Sequence, residues 1–310
     1  MTTATPYELY LSRLAPNSRR SIESQMRSIG RLMDWPDTVI DTRLSSVDYQ
    51  QAMQIRALLI HEQWSARSIN RAMTAIKNIV KVAALMGKAD MQQVAHISSI
   101  TNMKHGAHQG NPLTVKQVNE LFERLAKPKG AYGLRTLAIF ALFLGTGLRR
   151  SELAALSMAD YDRLNSTITV VAGKGNKSRV LFLPSWVEQH ISAWLKFRSR
   201  QEGWLICKCY ISGKLDVTQP VSSDTLYRLV KDKLIDIGIS GASPHDLRRT
   251  FITRLLEQNV DINTVRQMAG HADISTTTIY DKRGDAFMRE AASALNYVPA
   301  PKQRGRRRRC

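Results

Sequence analysis

Apolar residues recur at helical spacing through most of the first hundred positions. Between Ser18 and Met33, the residues Ile22, Met26, Ile29 and Met33 fall three or four apart, just after the potential cap Asn17. From Ser68 to Met86 the stripe is clearer: Ile69, Met73, Ile76, Val80 and Ala83 share one face, Arg71, Lys77 and Lys81 mark others, and Gly87 supplies a stop. A third helix is predicted over Val47 to Leu59, and a short fourth over Asp90 to His96. Residues 1–104 therefore read as a small helical bundle. The periodicity lapses between Asn102 and Pro112, where Lys104, Gly106 and Gly110 occur, and an interdomain linker is placed over 105–112.

Beyond the linker the pattern changes twice. Thr114 is a suitable N-cap for a helix through Leu125, and Leu134 to Gly145 is a nearly continuous apolar helix that must lie inside a second domain, assigned to 113–298. Thr167 to Val171 is then a β-branched run, followed by Gly173-Lys174-Gly175-Asn176-Lys177 and a second run from Val180 to Leu183, which together predict a β-hairpin with a basic tip. Helical patterns dominate from Trp186 onward, apart from a short strand predicted at Leu205 to Cys207. The expected fold is mainly α with a small β-hairpin or sheet.

Charge narrows the function. The 310 residues carry 45 Lys and Arg against 26 Asp and Glu, a net of +19, which points to a polyanionic partner. Nucleic acid leads over an anionic membrane surface, because no apolar run approaches the roughly 20 residues of a membrane span and Met1 to Ser21 lacks a signal-peptide core. Three cysteines, Cys207, Cys209 and Cys310, give no paired framework, which suits a reducing compartment and a cytoplasmic, nucleoid-associated location. No second Cys or His pair follows Cys207 and Cys209 at ligand spacing, so half-buried strand positions are the better reading for them than a metal site. Of the positive charges, six fall in Lys302 to Arg309 with no acid among them, and 299–310 is expected to be a disordered basic tail, Arg306 and Arg307 included, that contacts DNA phosphates.

Five short segments carry potential chemistry, and each has an ordinary reading when taken alone. Arg149, after the Gly-rich break that ends the buried helix, passes for a surface arginine, and Glu152 for a first-turn acid that pairs with Arg149 or another base. Lys174 passes for a solvated turn lysine. His245 and Arg248 are three apart, on one face of a helix that Pro244 starts. Gly270-His271 closes the helix carrying Ile262, Val265 and Met268, and Tyr280 follows nine residues after His271.

The order and spacing of the set resemble the tyrosine recombinase, or phage integrase, family, whose signature runs Arg, Lys in a β-hairpin, His-x-x-Arg, His or Trp, and Tyr. The matching positions are Arg149, Lys174, His245, Arg248, His271 and Tyr280, and the surrounding words Thr146 to Leu153, Pro244 to Phe251 and Gly270 to Tyr280 match as well. The similarity is greatest to the Xer-like members and extends through Ser65 to Gly87. It implies a helical N-terminal core-binding domain and an α+β catalytic domain that together form a C-shaped clamp on double-stranded DNA at a specific recombination site. It also implies a homotetramer that exchanges strands through a Holliday junction with no metal, ATP or other cofactor.

On this reading Tyr280 is the nucleophile that forms a 3′-phosphotyrosine, a role in which a phenol of ordinary pKa about 10 needs help to ionise. Arg149 and Arg248 are permanent cations for the non-bridging oxygens, Lys174 is the general acid, His245 is a proton acceptor or orienting group, His271 is a further donor, and Glu152 orients the cluster. Arg71, Lys77, Arg150, Lys177 and Arg249 are expected to contact DNA. The alternatives are a nicking-closing enzyme of type IB character, which rejoins the strand it cut, and a non-catalytic DNA-binding protein. An RNA-binding module is disfavoured by an aromatic content of 7%. The absence of an N-terminal arm-binding segment speaks mildly against a lambda-type integrase.

Overall fold

A computed structural model describes residues 4–104, 106, 110–127, 130–171, 178–210, 212–281, 283, 284, 288, 289, 292 and 293, in two compact units, Met1–His108 and Gln109–Cys310. In the first unit the chain forms α1 (Pro6–Ser12), α2 (Pro16–Leu32), α3 (Ile40–Ser45), α4 (Tyr49–His61), α5 (Ala66–Leu85) and α6 (Met91–Ser98). Helix α5 is central. It packs against the other five, so its buried face is wider than a single stripe and takes in Ala72, Ala75, Ile79 and Val82 besides the predicted residues. Helices α1 and α3, absent from the sequence reading, are short. A Thr5–Glu8 capping box starts α1, and Tyr7 and Leu11 anchor it in the core.

The second unit is built on α7 (Val115–Leu125) and α8 (Gly130–Thr146). Thr114 caps α7 through a box with Gln117, as the sequence predicts. From Ala138 to Phe143 every residue of α8 is at 0% exposure, because α10 (Ser185–Arg198) and α12 (Pro244–Glu257) pack on it. Phe140, Phe143 and Trp194 are the largest side chains closed off there, each contributing about 2–3 kcal/mol of burial.

Between α8 and α10 lie the short helix α9 (Arg150–Ala154) and a three-stranded antiparallel sheet of β1 (Tyr161–Asp162), β2 (Thr167–Val171) and β3 (Ser178–Phe182). The predicted hairpin is β2 and β3, with Val171 opposite Ser178. Its turn, with Lys174 and Lys177, lies outside the described residues. The strand expected at Leu205 to Cys207 begins later, as β4 (Cys207–Cys209), paired with β5 (Leu215–Pro220). Leu205 and Ile206 are apolar because they enter the core just before it, while Cys207 is buried and Cys209 half-buried. Helix α11 (Ser223–Ile235) precedes α12, and α13 (Ile262–Ala269) and α14 (Ser275–Thr278) follow. The basic tail, with Arg306 and Arg307, lies outside the described residues.

Candidate active site

The site begins where α8 stops. Gly147 turns the chain with φ +63°, a conformation that a side chain resists, and a Cβ there would also meet the Phe251 ring at 2.3 Å. Two residues later Arg149 stands as the N-cap of α9, where its backbone N–H donates to Glu152 Oε2 at 2.8 Å and its Nη1 donates to Glu152 Oε1 at 2.7 Å. The remaining arm reaches across the unit: Arg149 Nη2 donates to the Gly270 carbonyl at 2.7 Å. That carbonyl is presented by the end of α13, which closes on Gly270 in the left-handed conformation, φ +67°.

Arg248, on the first turns of α12, is buried and also donates to main-chain acceptors, through Nη1 to the Gly147 carbonyl and Nη2 to the Ala269 carbonyl, both at 2.6 Å. Burial, and next the nearby Arg149, lower its pKa to about 10, so it stays protonated at neutral pH. Each guanidinium thus gives two of its five N–H groups to these protein contacts.

Glu152 lies between cations. Besides Arg149 it receives Arg179, whose Nη1 and Nη2 donate to Oε1 and Oε2 at 3.0 and 2.8 Å, while Arg179 Nε donates to the Met268 carbonyl at 3.1 Å. Burial pushes the Glu152 carboxyl up, but the hydrogen bonds from Arg179 and Arg149 outweigh it and hold the group down at about 2. Arg179 was not anticipated. Its signal is the two-residue period of β3, in which Leu181 is buried, Val180 and Phe182 are exposed, and Arg179 is half-buried on the same side as Leu181. An arginine at an inward register needs an acid within reach.

His271 follows the α13 turn, with Nδ1 2.9 Å from Thr277 Oγ1. Burial, together with the Arg248 and Arg149 charges, lowers its pKa to about 4, so the ring is neutral at pH 7 and carries one N–H to donate. Tyr280 stacks on it with ring centroids 6.2 Å apart and planes at 23°, and sits in an apolar cluster with Phe251, Ile252, Leu256, Val265 and Ala269. Arg249 closes this corner, its guanidinium 5.4 Å from the Tyr280 ring centroid. His245 is exposed and, with Arg149, Arg150, Tyr227 and Arg248, lines a cavity of about 370 Å³. The structure therefore brings Arg149, Glu152, His245, Arg248, His271 and Tyr280 together from α9, α12 and the segment after α13.

The residues expected on DNA separate. Arg71 is exposed on α5, and Arg150 is half-buried, 5.4 Å over the Tyr227 ring. Lys77 is instead turned inward on its own unit, donating to the Ser98 and Ile100 carbonyls, where burial lowers its pKa. Its aliphatic stem lets the ammonium reach the unpaired carbonyls at the end of α6. Arg249 is buried, at 9% exposure, and packs on Tyr280 rather than on open surface.

A family model described as the phage integrase family matches residues 111–286. Tyrosine recombinase XerA of Pyrococcus furiosus is 30% identical over 249 residues, covering 80% of this chain and 81% of that one. Tyrosine recombinase XerC of Shewanella amazonensis is 30% identical over 77% of this chain and 80% of its own. Among solved structures, the fold resembles the Tn1549 transposon integrase in complex with transposon right end DNA, with TM-score 0.72, 19% identity, and coverage of 94% of this chain and 99% of that one. A lambda integrase dimer bound to a COC′ core site gives TM-score 0.68 at 16% identity, covering 89% and 92%. The chain belongs to the phage integrase family. Within that class it is a Xer-like tyrosine recombinase, a site-specific DNA strand transferase.

Proposed function

We propose that the protein cuts and rejoins each strand of a specific double-stranded DNA site through Tyr280, as a homotetramer on DNA that passes through a Holliday junction. The observation that carries this reading is the convergence of Arg149, Arg248 and His271 beside the Tyr280 ring. The Tyr280 hydroxyl loses its proton, with His245 as acceptor or orienting group, and attacks the scissile phosphorus. A bond forms from the phenol oxygen to the 3′ phosphate as the bond to the 5′ oxygen breaks.

Negative charge grows on the non-bridging oxygens during attack. The N–H groups of Arg149 and Arg248 not spent on carbonyls or Glu152 are suited to it, and neutral His271 donates one more hydrogen bond. Lys174 protonates the departing 5′ oxygen. Since the phosphotyrosine keeps the energy of the phosphodiester, a 5′ hydroxyl from the partner duplex reverses the step. Arg71, Arg150 and Lys177 are the proposed phosphate contacts, with Arg306 and Arg307 as the tail's contribution.

A nicked suicide substrate, in which the 5′ fragment diffuses away, tests the assignment. Wild type should accumulate as a covalent protein–DNA band on a denaturing gel. Tyr280→Phe should bind the same DNA with near-normal affinity and give no band, and a band from the variant overturns Tyr280 as nucleophile. If two-site plasmids are only relaxed and never exchanged, the chemistry is nicking-closing instead.

A further inference from the structure

We propose that Arg179 is a positioning residue for strand transfer, holding Glu152, and through it Arg149, against the end of α13 that leads into His271. The inference rests on the recombinase reading above and adds Arg179 to its six signature residues and Glu152. Three elements meet at this one guanidinium. Its two terminal nitrogens bridge both oxygens of Glu152 on α9, its Nε holds the Met268 carbonyl in the last turn of α13, and its own strand β3 is the one that leaves the Lys174 turn, five residues earlier in the chain.

The Glu152 carboxylate is fully committed in this arrangement. Oε1 accepts from Arg149 Nη1 and Arg179 Nη1, and Oε2 from the Arg149 backbone N–H and Arg179 Nη2. Its side chain is 10% exposed and that of Arg179 14%, so water does not readily replace either partner. Without Arg179 the carboxylate keeps only Arg149 as a strong partner, and can follow the Arg149 side chain instead of fixing it. With Arg179 in place, the carboxylate has one orientation, and Arg149 Nη2 is aimed at the Gly270 carbonyl beside His271.

The residue type follows from the same geometry. A fork plus a third donor in the same plane is what an arginine offers, whereas a lysine carries one compact charge and cannot span two carboxylate oxygens and a carbonyl. All three guanidinium nitrogens already hold protein acceptors. Three of its five N–H groups are thus spent on the protein, one more than Arg149 or Arg248 gives.

Arg179→Lys, Glu152→Gln and the double variant decide the matter, measured by the single-turnover rate of covalent attachment to the suicide substrate at saturating protein, alongside the Kd for the same DNA and the Tm. Arg179→Lys should slow attachment roughly tenfold or more, the scale on which losing a group that orients a reacting group is felt, with Kd nearly unchanged. The double variant should be no slower than the slower single variant, because both remove one linkage. Arg179→Lys keeps charge and length, so it decides the issue even where Arg179→Ala fails to fold. A rate for Arg179→Lys equal to wild type, additive losses, or a defect confined to Kd overturns the inference. A wild type that forms no covalent complex overturns the recombinase reading and this inference with it.

Discussion

Arg149 and Arg248 are held by different partners but by the same device, a guanidinium fork with part of its donor set tied to the protein and the rest left for a ligand. Replacing either by Lys keeps the charge and loses the fork. Each replacement should lower the saturating single-turnover rate by about a hundredfold, roughly 3 kcal/mol of transition-state stabilisation by analogy with oxyanion-hole donors. Near-normal rates for Arg149→Lys would remove it from the site. His271 makes a prediction of its own about acid. In the native protein it takes a proton only near pH 4, against an ordinary 6.5, so between these values the unfolded chain binds the proton that the folded one refuses. Stability from this group is complete above pH 6.5 and declines as pH falls towards 4. Glu152 has the same sign lower down, between 4.5 and about 2, where the unfolded carboxyl protonates first. Thermal melts from pH 7 to 4 should therefore show a flatter decline for His271→Gln than for wild type; parallel curves would mean that the imidazole is not buried neutral.

At the scale of elements, the turn that ends α13 does two jobs, offering the Gly270 carbonyl to Arg149 and passing against Arg179. A Cβ at Gly270 would stand 2.7 Å from Arg179 Nη1, on a backbone with φ +67°. Gly270→Ala should cost about 1 kcal/mol from handedness alone, seen in urea denaturation, and should slow covalent attachment more than that loss of stability explains. An attachment rate at the wild-type level would show that the turn has room. Long helices were legible: the stripes of α2 and α5, the Thr114 cap of α7 and the nearly continuous apolar run of α8 all state their position through periodicity, apolar content or a capping residue. Elements of only a few residues were not, because α1, α3 and β1 are too short to show a period, and their places are set by what they pack on. Arg179 escaped for a related reason. A single arginine in a short strand has meaning only once its register and the position of Glu152, 27 residues away in sequence, are known. Lys77 failed in the opposite direction, since a basic residue off the apolar stripe looks solvated until the carbonyls at the end of α6 come within its reach.

For the molecule as a whole, charge sets how it meets DNA. Each unit has its own hydrophobic core, one around α5 and one around α8, so removing positive charge from the tail should leave both intact. Deleting Lys302 to Cys310 takes away six positive charges. A salt titration should then show a slope of log affinity against log salt shallower by up to about 0.9 for each phosphate that the shortened protein no longer neutralises, equally on cognate and random DNA. An unchanged slope would make the tail irrelevant to DNA, and a loss of affinity confined to cognate DNA would mean that it reads sequence.

The acceptors that secure Arg149 and Arg248 across the unit are the carbonyls of Gly270, Gly147 and Ala269. A carbonyl is the same acceptor whatever residue bears it. Much of the code for keeping these two arginines in place is therefore written in the shape of the main chain, with the Glu152 and Arg179 side chains adding their share for Arg149. In a library built to retarget the enzyme, substitutions at Ala269 would sort by volume, since the site is closed. Those at Gly147 and Gly270 would sort by tolerance of positive φ. Neither would sort by side-chain hydrogen-bonding chemistry, because at these three positions it is the main-chain oxygen that holds the cations.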